Sequence, residues 1–369
     1  MNKRLDSLDI LRGLTVFLMI MVNNGVGHEL FAQMEHSKWN GLTVCDLVFP
    51  FFLFIVGVSA YLALSKKEFR RNTETYKKIA TRTVGLFLIG VALHAWDTCV
   101  YDPSILLRPS ELFGTLRIWG VLQRIALCYG IVSIILLHTH RFRWLFFFAL
   151  VILVLYALIL ALGNGYECSS TNIHAIIDDT ILGRAHLYQK SPIDPEGLLG
   201  TLPSVAHVLI GASVGCLVKK DVSMNLRLIS IFWFGVTLIV VAYLLKNWIP
   251  FNKRMWTPSY AMVTCGFGAV LLVLLNIKPL LKLLHPFQNI GLHALAAYIL
   301  SEMLCSIVNI IGINEAFHQF ACQYVSAPLS SFLYSLLYAT VLCLPFAFKI
   351  VRKEKMNQGF KGFKRILET

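Results

Sequence analysis

The chain has 369 residues, of which 57% are hydrophobic and only 14% are charged, and its mean hydropathy is +0.67. A soluble domain carries roughly a quarter charged residues, so this composition excludes an ordinary soluble protein. The net charge of +13 does not indicate a nucleic-acid partner, because the basic residues are dispersed between apolar runs rather than gathered on one face.

A helix needs roughly 20 apolar residues to cross a bilayer, and ten segments of the chain approach that length. They predict an all-α polytopic integral membrane protein in which residues 1–369 form one transmembrane domain. The predicted spans are residues 8–25, 43–64, 79–97, 112–137, 143–162, 198–218, 228–246, 258–276, 287–311 and 329–350.

The orientation of the spans follows from the basic residues of the connections, since positively charged loops stay in the cytoplasm. On one side of the predicted membrane lie 24 of the 33 lysines and arginines, and on the other side lie seven. We therefore expect both termini in the cytoplasm, and the longest connection, residues 163–197, on the extracytoplasmic side.

The first connection and the start of the second span combine a histidine with a carboxylate. Residues 36–50 read HSKWNGLTVCDLVFP, with His36 and Asp46 ten residues apart. An imidazole can take up a proton near neutral pH, and a carboxylate can orient it. A single histidine in a loop is more often simply solvated. Asn23 and Asn24, at the end of the first span, are from sequence alone best explained as helix caps.

Three polar residues interrupt the predicted fourth span. Arg117 and Arg124 are seven residues apart, or two helical turns, so together with Gln123 they predict a polar stripe on one helix face. Arginines inside a membrane usually face a partner or a cavity. Two interpretations remain open, an ion pair with Asp46 or Glu302 and the handling of an anion or substrate.

No metal site is expected, because the histidines and nine cysteines lack the CxxC and HExxH spacings of common zinc sites. Most of the cysteines lie in apolar runs and are expected to pack there. Cys99, Cys168 and Cys322 lie near the predicted outer face, which leaves a disulfide open.

Taken together, several motifs resemble the transmembrane acetyltransferases that include heparan-alpha-glucosaminide N-acetyltransferase and its bacterial NagX-type relatives. The resemblance extends over nearly the whole chain. It rests on SLDxxRG from Ser7, Val22-Asn23, residues 36–50, RxxGVLQR from Arg117, His186-Leu187-Tyr188, DPEGxxGT from Asp194, and NKxxW from Asn252.

The resemblance implies that an acetyl group passes from cytosolic acetyl-CoA, as co-substrate, to the amine of a glucosamine-type sugar on the far side of the membrane. It identifies His36 with the family's essential histidine and Asn23 with its site asparagine. It also implies a homodimer.

The remaining roles are hypotheses about how such a reaction would use the neighbouring residues. Asp46 would orient His36, which acts as a base or as an acetyl carrier. The acceptor would contact Trp39, Asn40, Arg117, Gln123 and Arg124. Asn23, Asn40 or an arginine of the fourth span would stabilise the oxyanion. Arg12 or the basic residues between Lys66 and Arg82 would bind the phosphates of CoA.

Two other functions fit parts of the pattern. Ten spans with buried arginines would also suit a transporter of a sugar or organic anion. An acyltransferase of the same type could act on another envelope amino sugar. The short N-terminal segment favours a bacterial inner-membrane protein.

Overall fold

The computed structural model describes residues 5–27, 29–188 and 191–348. The basic residues predicted near both termini, 3–4 and 349–365, lie outside this range, as does the predicted end of the last span. The described residues form helices and no strands. The helices are α1 (Asp6–Asn23), α2 (Val44–Ser65), α3 (Thr73–Tyr101), α4 (Pro109–Thr115), α5 (Val121–His138), α6 (Phe142–Leu162), α7 (Ile173–Ile181), α8 (Thr201–Lys219), α9 (Met224–Leu245), α10 (Pro258–Leu274), α11 (Lys278–Leu283), α12 (His285–Leu292), α13 (Ala294–Ile311), α14 (Ile313–Ala321) and α15 (Ala327–Ala347).

Eight of the described helices are long and apolar enough to cross a membrane, namely α2, α3, α5, α6, α8, α9, α13 and α15. The other two predicted spans coincide with α10, which is apolar but has 17 residues, and with α1, which carries Asp6, Asp9 and Arg12 in its first half. The prediction of an all-helical integral membrane protein is confirmed. The number of spans and the orientation of the termini stay predictions.

The prediction of one continuous helix over residues 112–137 is wrong. The chain leaves α4 at Leu116, runs extended, and enters α5 after Gly120. A Cβ atom at Gly120 would lie 2.8 Å from the ring of His94, so only glycine fits this close approach. Arg117 therefore lies outside the helix that carries Arg124, and the two do not form a stripe on one face.

Histidines from other segments satisfy two carbonyl groups that this break in the helix exposes. The Nδ1 atom of His94 lies 2.9 Å from the Arg117 carbonyl, and the Nδ1 atom of His186 lies 2.7 Å from the Leu116 carbonyl. Each of these nitrogens donates, because a carbonyl oxygen can only accept. Non-helical backbone is tolerated at membrane depth when protein groups bond to it in this way.

Two other predicted elements are subdivided. The predicted span 287–311 is α12 followed by α13, with the break at His293. The long connection 163–197 contains α7 and a short 3₁₀ turn at Arg184–His186. The nine cysteines, all within the described ranges, are unpaired, so no disulfide joins Cys99, Cys168 or Cys322.

The core lies where α2 crosses α8, with α5, α6 and α10 around them. The two helices touch at glycines: a Cβ atom at Gly57 would lie 2.1 Å from the Val208 carbonyl, and one at Gly211 would lie 2.3 Å from the Phe54 carbonyl. Small residues permit such contact between membrane helices. This packing fixes α2, which carries a buried carboxylate at its first turn and borders a cavity at its other end.

Candidate functional site

The first turn of α2 buries a carboxylate. The Thr43 hydroxyl accepts a hydrogen bond from the Asp46 amide at 3.3 Å, and the Asp46 carboxylate accepts one from the Thr43 amide at 3.3 Å. This reciprocal cap satisfies amides that have no partner at a helix start. It also directs the completely buried Asp46 carboxylate toward the segment that precedes the helix.

A proline further along α2 leads to a hydrogen bond between α2 and α10. Pro50 has no amide hydrogen, so the Asp46 carbonyl lacks its helical partner. The hydroxyl of Tyr260, in α10, donates to that carbonyl at 2.6 Å. The bond removes the cost of an unpaired carbonyl and anchors the start of α2 to α10.

His36 contacts this carboxylate. Its Nδ1 atom lies 2.9 Å from Asp46 Oδ1, and 52% of its side chain is exposed, whereas that of Asp46 is completely buried. Asp46 Oδ2 accepts from the Ser37 amide and the Thr43 hydroxyl, each at 3.1 Å. One ring nitrogen is thus held by a well-bonded carboxylate while the ring remains accessible, which suits a group that accepts a proton.

Lys253 completes the cluster, which we call the His36 site (His36, Asp46 and Lys253). Its ammonium nitrogen lies 3.1 Å from His36 Nδ1, 3.2 Å from His36 Nε2 and 3.8 Å from Asp46 Oδ1. Burial lowers the pKa of Lys253 below its usual range, although Cys45 and Asp46 act in the opposite direction. The thiol of Cys45 also packs against the ring, 3.1 Å from Nδ1.

The sequence prediction gave Lys253 no role. The residue lies 217 positions from His36, so no spacing could join the two. The available signal was its place in the NKxxW motif from Asn252, one of the motifs that carry the resemblance.

The turn at residues 251–257 that carries Lys253 is bonded to the segment that carries His36. The side chain of Asn252 donates to Asn40 Oδ1 at 3.1 Å, and the Gly41 amide donates to the Phe251 carbonyl at 2.8 Å. Asn40 thus holds the turn in place. Two hydrogen bonds between distant segments make the position of Lys253 a product of the fold rather than of a flexible loop.

Trp256 lies in the same turn, three residues after Lys253. It has a left-handed backbone (φ 50°) and is completely buried. Such a conformation in a large residue persists only when its surroundings enforce it. Here the ring packs edge-on against Phe49 and Tyr260, with centroids 5.1 and 5.3 Å away.

Arg117 bridges two acidic residues rather than the predicted Asp46 or Glu302. Its Nη2 atom lies 2.6 Å from Asp194 Oδ1 and 2.8 Å from Glu196 Oε2. Burial alone would raise the pKa of Glu196, but Arg117 together with Arg124 and Lys253 outweighs this effect and the pKa is lowered. The bridge fixes residues 194–196 against the break between α4 and α5.

Arg124 and Gln123 are completely buried. Arg124 donates to the Gly197 carbonyl at 2.8 Å, and its guanidinium carbon lies 5.6 Å from the Trp256 ring centroid. A Cβ atom at Gly200 would lie 2.6 Å from Arg124. Neither side chain reaches solvent here, so contact with a substrate would require the 197–200 backbone to move.

The structure also places the other predicted site residues. Trp39 donates to the Tyr166 carbonyl at 2.9 Å and so ties the His36 segment to the long connection. Asn23 hydrogen-bonds the Glu302 carboxyl group in α13, while the neighbouring Asn24 donates to the Ile20 carbonyl at 2.6 Å. Of the two asparagines expected to cap α1, Asn24 therefore makes the bond to a helix carbonyl.

A cavity of about 770 Å³ lies at the other end of α2. The ends of α1, α2, α3, α8 and α9 surround it, together with the start of α13, and most of its wall is apolar. Its size falls in the range of about 300–1,000 Å³ typical of small-molecule and cofactor sites. We call it the basic cavity, because its lining includes the cations Arg12, Lys66, Arg82, Lys219 and Arg227.

Arg12 is fixed within this lining. Its guanidinium donates to Asp9 Oδ1 at 2.9 Å and to Ser59 Oγ at 2.8 Å. Asp6 and Asp9 also line the cavity. The cations Lys66 and Lys219 are exposed at its edge.

The basic cavity approaches the His36 site along three helices. On α2 the lining residue Phe52 is six positions from Asp46, or about 9 Å at 1.5 Å per residue. On α1 and α13 the lining residues Met19 and Tyr298 are each four positions, or about 6 Å, from Asn23 and Glu302. Tyr298 also lies within electrostatic range of Glu196 and Arg117, and Glu196 lies within range of Lys253.

The described residues contain no group of three or more histidine, cysteine, aspartate or glutamate side chains able to hold a metal ion. The His36 site itself offers a ring nitrogen that can take up a proton, a carboxylate and an ammonium.

The sequence matches known proteins over most of its length. Residues 4–245 match the family model for heparan-alpha-glucosaminide N-acetyltransferase, catalytic. The heparan-alpha-glucosaminide N-acetyltransferase of Mus musculus is 29% identical over 367 residues, covering 82% of this chain and 54% of that protein. The protein of the same name from Homo sapiens is 29% identical over 366 residues, covering 81% and 53%. The chain spans about half the length of these curated relatives.

Proposed function

The chain belongs to the heparan-alpha-glucosaminide N-acetyltransferase catalytic family, and we propose that it transfers an acetyl group from acetyl-CoA on one side of the membrane to the amine of a glucosamine-type sugar on the other. One observation carries the proposal. A histidine–carboxylate pair lies at the first turn of α2, and a cofactor-sized cavity extends from the other end of this helix to Phe52, about 9 Å from Asp46 along the helix.

The donor side is the basic cavity. Its apolar wall suits the pantetheine arm of acetyl-CoA, and its cations suit the phosphates. The helix ends around it are those predicted to face the cytoplasm, where acetyl-CoA is made available. Arg12, held by Asp9 and Ser59, would present its guanidinium to the donor in a fixed orientation.

The acceptor side is the His36 site. His36 takes the proton of the attacking amine, and Asp46 holds the ring in the tautomer that leaves Nε2 able to accept. Asn23, hydrogen-bonded to Glu302, would contact the acetyl group or the acceptor. Trp39 and Asn40 position the segment that the sugar would contact. Arg117 fixes residues 194–196 of the long connection.

The test is direct. Purified protein receives radiolabelled acetyl-CoA and glucosamine or another amino sugar, and acetylated sugar is counted for wild type and for His36→Ala. We expect product from wild type and a loss of at least about 100-fold in the variant, the usual contribution of a positioned base. An equally active His36→Ala would remove the proposed chemistry.

Transport is the alternative from another class, since a cavity that opens at one face also suits a transporter. Wild type that accumulates amino sugar in liposomes and acetylates none would favour it. A different envelope amino sugar as acceptor would appear as product with that sugar and none with glucosamine. The homodimer and the bacterial inner membrane stay predictions of the sequence.

A further inference from the structure

Lys253 lies against His36 without a role in the reaction described so far. Its ammonium is 3.1–3.2 Å from both ring nitrogens, and only 14% of its side chain is exposed. The residue also lies beyond the segment 4–245 that matches the family model. A buried cation in contact with the reacting group requires an explanation, since burying a charge is costly.

We propose that the Lys253 ammonium stabilises the oxyanion that forms when the acceptor attacks the thioester. The inference rests on the proposed acetyl transfer. It makes Lys253 a catalytic residue rather than a structural one.

The hydrogen-bonding roles at His36 support this assignment. Nδ1 lies 2.9 Å from a carboxylate oxygen, so it donates, and the lone pair of the neutral ring is on Nε2. An ammonium has three donors and no acceptor, and at 3.1–3.2 Å from both ring nitrogens it lies against the ring, beside the Nε2 lone pair. When the acceptor amine takes that place, the ammonium is released beside the reacting carbonyl.

Three other groups considered for the oxyanion are engaged elsewhere. Asn23 hydrogen-bonds the Glu302 carboxyl group. Arg117 bridges Asp194 and Glu196, and Arg124 is buried on the Gly197 carbonyl. Asn40 accepts from Asn252 through its side-chain oxygen and so fixes the turn that carries Lys253. Lys253 is the cation that contacts His36.

The charges that face Lys253 come from several segments. Asp46 and Cys45 belong to α2, Glu196 to the long connection, and Arg254 to the same turn. The carboxylates of Asp46 and Glu196 partly offset the cost of burying this ammonium in a site that is largely shielded from water. A donor fixed in this way needs little reorganisation when charge develops, which is what makes oxyanion stabilisation effective.

In the acetyl-transfer step, the acceptor nitrogen attacks the thioester carbon, and the carbonyl π electrons move to oxygen beside the Lys253 ammonium. The proton of the attacking nitrogen passes to His36 Nε2. The oxyanion then collapses, the carbon–sulfur bond breaks, and the departing thiolate takes the proton from Nε2, which leaves an amide, CoA thiol and neutral His36. A route through acetyl-His36 forms the same kind of oxyanion.

The experiment compares Lys253→Met with wild type, with Lys246→Met as a control that removes an exposed lysine near the end of α9. We expect kcat to fall by about 100-fold or more in Lys253→Met, as for loss of one oxyanion donor, while KM for acetyl-CoA and for the sugar changes by less than about threefold. Lys246→Met should match wild type.

A second variant separates charge from packing. Lys253→Cys is alkylated with bromoethylamine, which restores an ammonium of nearly the same length, or with a neutral methylthiolating reagent, and labelling is confirmed by mass spectrometry. We expect activity to return at least tenfold with the cationic reagent alone, as an electrostatic role requires. Wild type treated in parallel controls for the native cysteines.

The outcomes are distinct. Wild type that acetylates no amine removes the proposed function itself. Active wild type with Lys253→Met of similar kcat, or with a change in KM alone, overturns the role of Lys253, as does labelled Lys253→Cys that stays inactive with the cationic group.

Discussion

The His36 site and the basic cavity differ in how the chain builds them. At the His36 site, three charged or ionisable groups from two distant segments lie 2.9–3.8 Å apart and are held by further hydrogen bonds. The cavity is a volume of about 770 Å³ with apolar walls and cations contributed by the ends of several helices. The first arrangement fixes atoms and the second offers space and charge, so the first is suited to chemistry and the second to binding.

This difference has a kinetic consequence. A change at a preorganised site removes interactions made in the transition state and lowers kcat, whereas a change in a binding cavity weakens ground state and transition state together and raises KM. Substitutions at the His36 site should therefore lower kcat, and substitutions at the basic cavity should raise KM.

The largest effect is expected at Asp46. Asp46→Asn removes the charge that fixes the Nδ1 side of His36 and leaves its size unchanged. We expect kcat to fall by at least about 100-fold, because the ring loses its productive tautomer, with KM for acetyl-CoA nearly unchanged. Steady-state kinetics of the purified protein would measure both.

Asp179→Asn is the matched control, since Asp179 is an exposed aspartate on α7. Equal activity of Asp46→Asn and wild type would show that the carboxylate has no orienting role.

Arg117→Met should act on stability rather than on binding. It leaves Asp194, which is completely buried, and Glu196 without their cation. Breaking a buried pair on one side costs about 3–5 kcal/mol, so we expect a lower midpoint of thermal unfolding in detergent. The double variant Arg117→Met/Asp194→Asn should recover part of the loss.

The competing interpretation of Arg117 is substrate binding. It predicts an unchanged unfolding midpoint together with a raised KM for the sugar, and this result would move Arg117 from support to recognition.

At the basic cavity the expected effects are smaller. Lys66→Gln and Arg227→Gln should each raise KM for acetyl-CoA roughly three- to tenfold, because each removes a cation that can pair with a phosphate. The increase should shrink at high salt, and kcat should stay nearly constant.

Lys67→Gln is the control, since Lys67 is exposed next to Lys66 and does not line the cavity. If KM for acetyl-CoA in Lys66→Gln, Arg227→Gln and Lys67→Gln equalled that of wild type, this cavity would be excluded as the donor site.

The smallest effect is expected at Asp178, which lies in α7 and accepts a hydrogen bond from the Leu198 amide. Burial raises the pKa of Asp178 to about 6, above the unfolded value of about 3.9. The folded state therefore holds a proton that the unfolded state has lost, so this group destabilises the fold as pH rises from about 4 to 6. We expect Asp178→Asn to flatten the dependence of the unfolding midpoint on pH in that window.

The neighbouring Asp179→Asn should leave this dependence as in wild type. A steeper dependence in Asp178→Asn would contradict the sign of the shift.

The sequence could reveal the two regions only in part. His36 and Asp46 are ten residues apart, so a local pattern was enough to pair them. Lys253 joins them through a contact made by the fold, and no spacing predicts it. The cations of the cavity were recognisable as a topology signal, but that they surround one cavity depends on the packing of several helices.

The break before α5 shows a second limit. Hydrophobicity predicted a continuous helix there, because residues 112–137 are mostly apolar. The structure breaks it because His94 and His186 bond the freed carbonyls and Gly120 fits against His94. Those partners lie in other segments, so the helical pattern of the local sequence was overridden by tertiary contacts.

The most direct test of the account places donor and acceptor on opposite sides of a membrane. Liposomes containing the protein trap glucosamine inside, and radiolabelled acetyl-CoA is added outside, where its charge retains it. We predict acetylated glucosamine in the liposome interior, and none with His36→Ala. Product that forms only when both substrates share one side would contradict transfer across the membrane.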